Sequence, residues 1–172
     1  LAYGKKAVTA TVTRGILQGS SIPRMAKDLE ARVVTMSHDS AVRAARTAAT
    51  GAQNAGRQDS FIAAKKMGID VKKRWIATKD GRTRHEHGAA DGQTVKADQP
   101  FTVGGYKMMF PGDKSAPGFL VYNCRCTMAT VEKLGMEAEP RKMRVKDPAT
   151  GRNVLVNEMT YSEWERGVKS RG

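Results

Sequence analysis

The residues best suited to chemistry gather in Thr78-Lys79-Asp80-Gly81-Arg82-Thr83-Arg84-His85-Glu86-His87, followed by Asp91-Gly92. Two of the three histidines lie there, and both cysteines lie in Asn123-Cys124-Arg125-Cys126. Neutral imidazole and thiolate both suit zinc, so His85, His87, Cys124 and Cys126 form a conceivable ligand set. The spacing departs from the usual one: structural zinc sites favour C-x2-4-C and H-x3-5-H, and this chain offers C-x-C and H-x-H. On a strand, residues i and i+2 point to one side, which would let both cysteines reach one object. The competing reading is two small buried thiols and a surface histidine pair. A Cys124–Cys126 disulfide is disfavoured, because i and i+2 on a strand lie near the upper limit of Cα separation for a bridge. The sequence has no secretion-signal pattern, so reduced thiols are the default.

A second chemistry is nucleic-acid hydrolysis. His85, Glu86 and His87 could act as acid and base, with Arg82 and Arg84 clamping a phosphate. The alternative is a structured loop in which Asp80 and Asp91 pair with arginine guanidinium or turn amides. The sequence has no glycine-rich phosphate loop, G-x-S-x-G or H-E-x-x-H motif.

Charge points to a polyanionic partner. The 172 residues carry 30 basic against 17 acidic side chains, a net +13, spread along the chain rather than gathered in a tail. Such a surface attracts nucleic acid through counterion release, whatever its sequence. Aromatics make up only 6% and do not alternate with the basic residues, so contacts to phosphate are expected rather than base stacking. Lys65-Lys66 and Lys72-Lys73-Arg74 read as a solvated basic face able to touch DNA phosphates. No run approaches the roughly 18 apolar residues of a membrane span. The first residue is Leu1, so an earlier stretch of chain is expected to have been removed or left out.

These groups must be held by an α+β framework. Helices are expected near 5–18, 22–34 and 39–67. Ser21 would cap the second, with Pro23 in its first turn. Ser37 or Asp39 would cap the third. Met25, Leu29 and Val33 form an i, i+4, i+8 stripe on the second helix. The face of the third is mostly alanine: Ala41, Ala44, Ala45, Ala48, Ala49, Ala52 and Ala55. Gly68 is a plausible stop. Trp75–Thr78 reads as a short strand, and 79–118 as a long irregular stretch without a helix. Phe119–Met128 reads as a strand with Leu120, Tyr122, Cys124 and Cys126 on one face. Residues 137–141 read as a linker. A hairpin is expected from 141–146 and 152–156, then a short helix capped by Thr160 or Ser162 and anchored by Trp164. The organisation is a helical segment 1–68, a β-rich core 69–136, and a hairpin with closing helix 137–172.

Trp75-Ile76-Ala77-Thr78, Asp80, Arg82-Thr83-Arg84, His87 and Asp91-Gly92, then Phe110-Pro111-Gly112-Asp113 and Asn123-Cys124-Arg125-Cys126, form an ordered set. It resembles the head-morphogenesis, or minor head protein, family of tailed bacteriophages, named for the F protein of phage Mu. Ala45-Arg46-Thr47 with Asn54, Gly56 and Arg57 resembles that family's preceding helix. Met159-Thr160-Tyr161-Ser162-Glu163-Trp164 resembles its closing helix.

The resemblance implies a minor structural protein of the virion interior, associated with the portal and acting in head assembly from the host cytoplasm. Its partners would be the portal, other head proteins and double-stranded DNA. Neither a membrane nor a small-molecule substrate is implied, and no cofactor is required. Two positions depart from the family pattern. Ala48 stands where members often have glutamate, and Phe119–Tyr122 is uncharged where an acidic residue often precedes Asn-Cys-Arg-Cys. If those acidic groups served a metal or enzymatic site, this chain lacks them. Some members are fused to toxin domains, and no such domain is expected within these 172 residues. The expected role of Asp80, Arg82, Thr83, Arg84, His87, Asp91, Asn123, Cys124 and Cys126 is to hold the long loop onto the strand, with no catalytic residue. The enzyme alternative is a nuclease or metal-dependent hydrolase acting on nucleic acid. A free host DNA-binding protein is a third reading.

Overall fold

A computed structural model describes residues 2–33, 36–131, 142–147 and 149–169. Three helices come first: α1 (Ala2–Leu17), α2 (Ile22–Arg32) and α3 (His38–Lys66). Ser21 caps α2, its side chain accepting from the Arg24 amide at 3.4 Å, with Pro23 in the first turn. Ser37 caps α3 in the same way through the Ser40 amide. Asp39 in the first turn of α3 and Lys65 and Lys66 in its last oppose the helix dipole. The helix ends in a Schellman motif: Gly68, at φ 86°, donates to Lys65 O, and Ile69 donates to Ala64 O.

Helix α3 joins two apolar clusters. At 29 residues it is about 44 Å long. Its first half buries Ala41, Ala45 and Ala49 against Val12 of α1 and Met25, Ala26 and Leu29 of α2. Alanine removes little area, so the helices must approach closely. Ala44, Ala48 and Ala55 are half-buried and Ala52 is exposed, so the alanine face is narrower than the composition suggests. The second half of α3 buries Asn54 and Gln58 against the β-rich part.

That part is built on a three-stranded antiparallel sheet of β1 (Lys72–Ile76), β2 (Thr94–Lys96) and β5 (Thr127–Val131), ordered β2-β1-β5. Trp75 pairs with Met128 across β1 and β5. Between β1 and β5 lie α4 (His85–Ala89), the hairpin of β3 (Phe101–Val103) and β4 (Tyr106–Met108), and α5 (Gly118–Val121). The core here is Trp75, Phe101, Val103, Met108, Leu120 and Met128, with the two cysteines. Strands β6 (Lys142–Lys146) and β7 (Asn153–Asn157) form the expected hairpin. Helix α6 (Tyr161–Lys169) follows. Thr160 caps it in a capping box: the Glu163 amide donates to Thr160 Oγ1, and Glu163 Oε2 accepts from the Thr160 amide. No helix among the described residues is long and apolar enough to cross a membrane.

The α+β expectation holds, and five local expectations are corrected. Phe119–Met128 is not one strand: 118–121 form a helical turn, Asn123 adopts φ 56°, and the strand begins at Thr127. Leu120 and Val121 are both buried, which a single alternating strand cannot do. Asparagine tolerates the left-handed turn between them and β5. The stretch 79–118 contains α4 and three short strands, each too short to carry a periodic signal. The first strand lies at Lys72–Ile76 rather than at 75–78. Lys73 therefore does not belong to a solvated basic face. It is fully buried, its Nζ donating to Gln58 Oε1 and Met109 O at 2.7 Å each, 5.1 Å from the Phe101 ring centroid. The second helix stops at Arg32. The linker 137–141 lies outside the described residues.

Candidate functional site

The chain leaving β1 is tied down residue by residue. Thr78 Oγ1 donates to Arg125 O at 2.9 Å, and Thr83 Oγ1 donates to Thr78 O at 2.5 Å. Asp80 grips both nitrogens of the Arg125 fork and also accepts from the Arg82 amide at 2.9 Å. Burial pushes the Asp80 carboxyl upward. Hydrogen bonds from Arg125 and the Arg82 amide, with both guanidinium charges, outweigh it and hold the group below the usual carboxylate range. Arg84 Nη2 donates to Tyr122 O at 2.6 Å.

Asp91 ties three segments together. Its Oδ1 accepts from the Ala77 amide, while Oδ2 accepts from Lys79 Nζ and from the Tyr161 amide, both at 2.7 Å. The Lys79 and Asp91 side chains are only 2% and 4% exposed. Helix α4 lies under α6 here. A Cβ on Gly88 would stand 2.6 Å from the Tyr161 ring, so glycine lets the ring approach α4 this closely.

Helix α3 holds the other motif from below. The Asn123 amide donates to Thr47 Oγ1, and Arg46 donates to Asn123 Oδ1. Thr50 Oγ1 donates to Cys124 O at 2.9 Å, and Asn54 Nδ2 donates to Pro111 O and Cys126 O at 3.0 and 3.1 Å. Gly112 sits against the α3 backbone at φ 87°, where a Cβ would stand 3.0 Å from Gly51 Cα. Asp113 closes its own loop, accepting from the amides of Met109 and Ser115.

At the centre, His87 Nδ1 lies 3.3 Å from Cys126 Sγ and 3.6 Å from Cys124 Sγ. All three residues are buried, and the histidine ring stands edge-on to Trp75 at 5.7 Å. Among the described residues, His87 Nε2 is buried without a hydrogen-bond partner. The two thiols share a hydrogen bond, and their acidities split. That bond draws Cys124 below the ordinary thiol range against the effect of burial, with help from the Arg84 and Arg125 charges. The same bond and burial push Cys126 well above it.

Of the predicted motif residues, Asp80, Thr83, Arg84, His87, Asp91, Asn123, Cys124 and Cys126 meet around the loop. Arg82 joins through its backbone, while its guanidinium is 82% exposed and 3.9 Å from Asp80. His85 is exposed and stands apart from the buried His87–Cys124–Cys126 group. The reason is geometric: on a helix, i and i+2 do not share a face. Among the basic residues singled out for DNA, Lys65 pairs with Asp98 and Arg74 with Glu158, whereas Lys66 and Lys72 are exposed. Site residues missed in the sequence include Thr47, Thr50 and Gln58 of α3. With Asn54 between them, steps of three, four and four place them on the helix face that meets the motifs. Lys79 and Tyr161 carried no periodic signal.

Fold and site together define an α+β module whose signature residues lock a long loop between a sheet, a long helix and a closing helix. The chain belongs to the family described as Phage Mu protein F like protein, whose model matches residues 6–129. It is 29% identical over 168 residues to minor head protein GP7 of Bacillus phage SPP1, covering 95% of this chain and 51% of that protein. It is 35% identical over 136 residues to the NAD(+)--arginine ADP-ribosyltransferase EFV of Enterococcus faecalis (strain ATCC 700802 / V583), covering 78% of this chain and 27% of that protein. The chain thus spans about a quarter and about half the length of these two curated relatives. No solved structure matches it.

Proposed function

We propose that the protein is a bacteriophage minor head protein that acts in head morphogenesis. In this reading it sits inside the head near the portal and contacts packaged DNA through phosphates. The observation that carries a structural rather than catalytic role is the burial of the signature residues. His87 is 2% exposed and the Asp91 side chain 4%, and the polar atoms of Asp91 are bonded to the chain's own amides and Lys79. A general acid or base must reach its substrate. The match to GP7 along nearly the whole chain supports the head assignment, and the net +13 supports a DNA-facing position. Assembly from the host cytoplasm, with portal and other head proteins as partners, follows from the same reading.

The relative named as an ADP-ribosyltransferase favours a second reading, that of an enzyme. Catalysis would then have to use exposed groups such as His85, which borders a shallow depression with Thr83, Tyr161 and Glu165. A nuclease or metal-dependent hydrolase would face the same constraint. The test is to delete the gene from the phage, restore it with wild type or His85→Ala, and purify heads. Normal heads containing either version support the structural role. Loss of infectivity with His85→Ala still present in heads supports an enzyme.

A further inference from the structure

The geometry points to a metal site: His87 Nδ1, Cys124 Sγ and Cys126 Sγ hold one zinc ion that staples α4 to the turn before β5. The three donor atoms lie within 4.8 Å of one another, and all three residues are buried. A tetrahedral zinc with Zn–S near 2.3 Å and Zn–N near 2.0–2.1 Å separates sulfur from nitrogen by about 3.5 Å. The distances from Nδ1 to the two sulfurs are 3.3 and 3.6 Å. The two nitrogen–sulfur separations thus match two edges of such a polyhedron.

Donor chemistry selects the ion. Two thiolates and an imidazole are soft to borderline ligands, suited to zinc and unsuited to magnesium or calcium. Two thiolates also cancel the ion's double charge, so the dry core acquires no net charge. Binding releases the thiol protons to solvent and leaves His87 neutral, with its proton on Nε2. The fourth position is filled from outside this trio.

Ligand placement gives the site its purpose. His87 comes from α4, while the cysteines come from a turn 37 and 39 residues later. Both segments are short: α4 has five residues, and the cysteines lie in the turn between the four-residue α5 and β5. Helices of this length do not persist without tertiary support. Asn54 and Thr50 fix the carbonyls of the cysteine turn, and Trp75 packs on the histidine, so the donors are positioned from three sides. His85 takes no part. The inference is independent of the head-protein reading.

The test uses untagged, reduced protein purified without chelator. Elemental analysis is expected to give close to one zinc per chain. Metal-free protein titrated with cobalt(II) is expected to develop a thiolate-to-cobalt charge-transfer band that saturates at one equivalent. Chelation should lower the melting temperature by about 10 °C, and zinc should restore it. His85→Ala should keep the metal and the band, and Cys126→Ser should lose them. If Cys126→Ser does not fold, the wild-type cobalt titration still decides. Protein that contains no metal, gives no cobalt band and melts unchanged in chelator overturns the site. So does a metal that His85→Ala removes.

Discussion

Asp91 accepts the backbone amide of Tyr161 at 2.7 Å, joining the central motif to the closing helix seventy residues away. The same carboxylate holds Lys79 and the Ala77 amide. One short side chain therefore fixes the exit of β1, the end of α4 and the start of α6. An aspartate in an Asp-Gly turn is common, so the reach of Asp91 into the C-terminal helix is visible only in three dimensions.

Asp91→Ala should be the most damaging single change in the loop. It strands the Lys79 ammonium in a site 2% exposed and removes two amide acceptors. A loss of about 3–5 kcal/mol is expected in urea unfolding. Stability unchanged within error would contradict the role given to Asp91.

Gly112→Ala tests the contact between the Phe110–Asp113 segment and α3. The residue sits at φ 87°, and an added Cβ meets Gly51 backbone at 3.0 Å. Backbone atoms cannot rotate aside as a side chain can. A loss of about 2 kcal/mol is expected, measured by thermal melting. Gly81→Ala, with nothing within 4 Å of its Cβ, is the control and should change little.

Lys73 should leave a pH signature. Burial lowers its ammonium from 10.5 to about 8, against upward pulls from Asp98 and Asp113. Below pH 8 the group is protonated in both folded and unfolded chains and contributes no slope. Between about pH 8 and 10.5 the unfolded chain binds more protons, so this group makes stability rise with pH. Lys73→Met should remove that rise when both proteins are unfolded in urea across the range. Parallel curves for the two proteins would contradict the assignment.

Asp80 should act in the opposite range. Its carboxyl is held below the ordinary value, so the Asp80–Arg125 contribution is complete above about pH 5 and is lost as pH falls through and below about 4. Asp80→Asn should therefore narrow its stability gap to wild type on acidification. A gap that stays constant down to pH 3 would sink this account of the pair.

Much of the framework was legible. Ser21 with Pro23, Ser37, Gly68 and Thr160 with Glu163 mark helix ends by local hydrogen bonding, and local chemistry is what a sequence displays. The hairpin of β6 and β7 shows for the same reason. The turn at Asn123 was hidden, because an apolar run from Phe119 through alternating residues mimics a strand. What breaks it is Thr47, Thr50 and Asn54 pulling the backbone of 123–126 onto α3. Lys73 was misread because three consecutive basic residues look solvated. Gln58 and the Met109 carbonyl, with the Phe101 ring, make its burial tolerable. At the site, the residue types were apparent, but not which histidine faces the cysteines. That choice rests on a five-residue helix that turns His87 inward and His85 outward.

The most direct test of the central claim is a count of this protein in purified phage heads, with infectivity measured on the same particles, for wild type, His85→Ala and Asp91→Ala. The account predicts wild type and His85→Ala present at equal copy number with equal infectivity, and Asp91→Ala depleted along with viable heads. Absence of the wild-type protein from heads, or full incorporation of His85→Ala with lost infectivity, would contradict it.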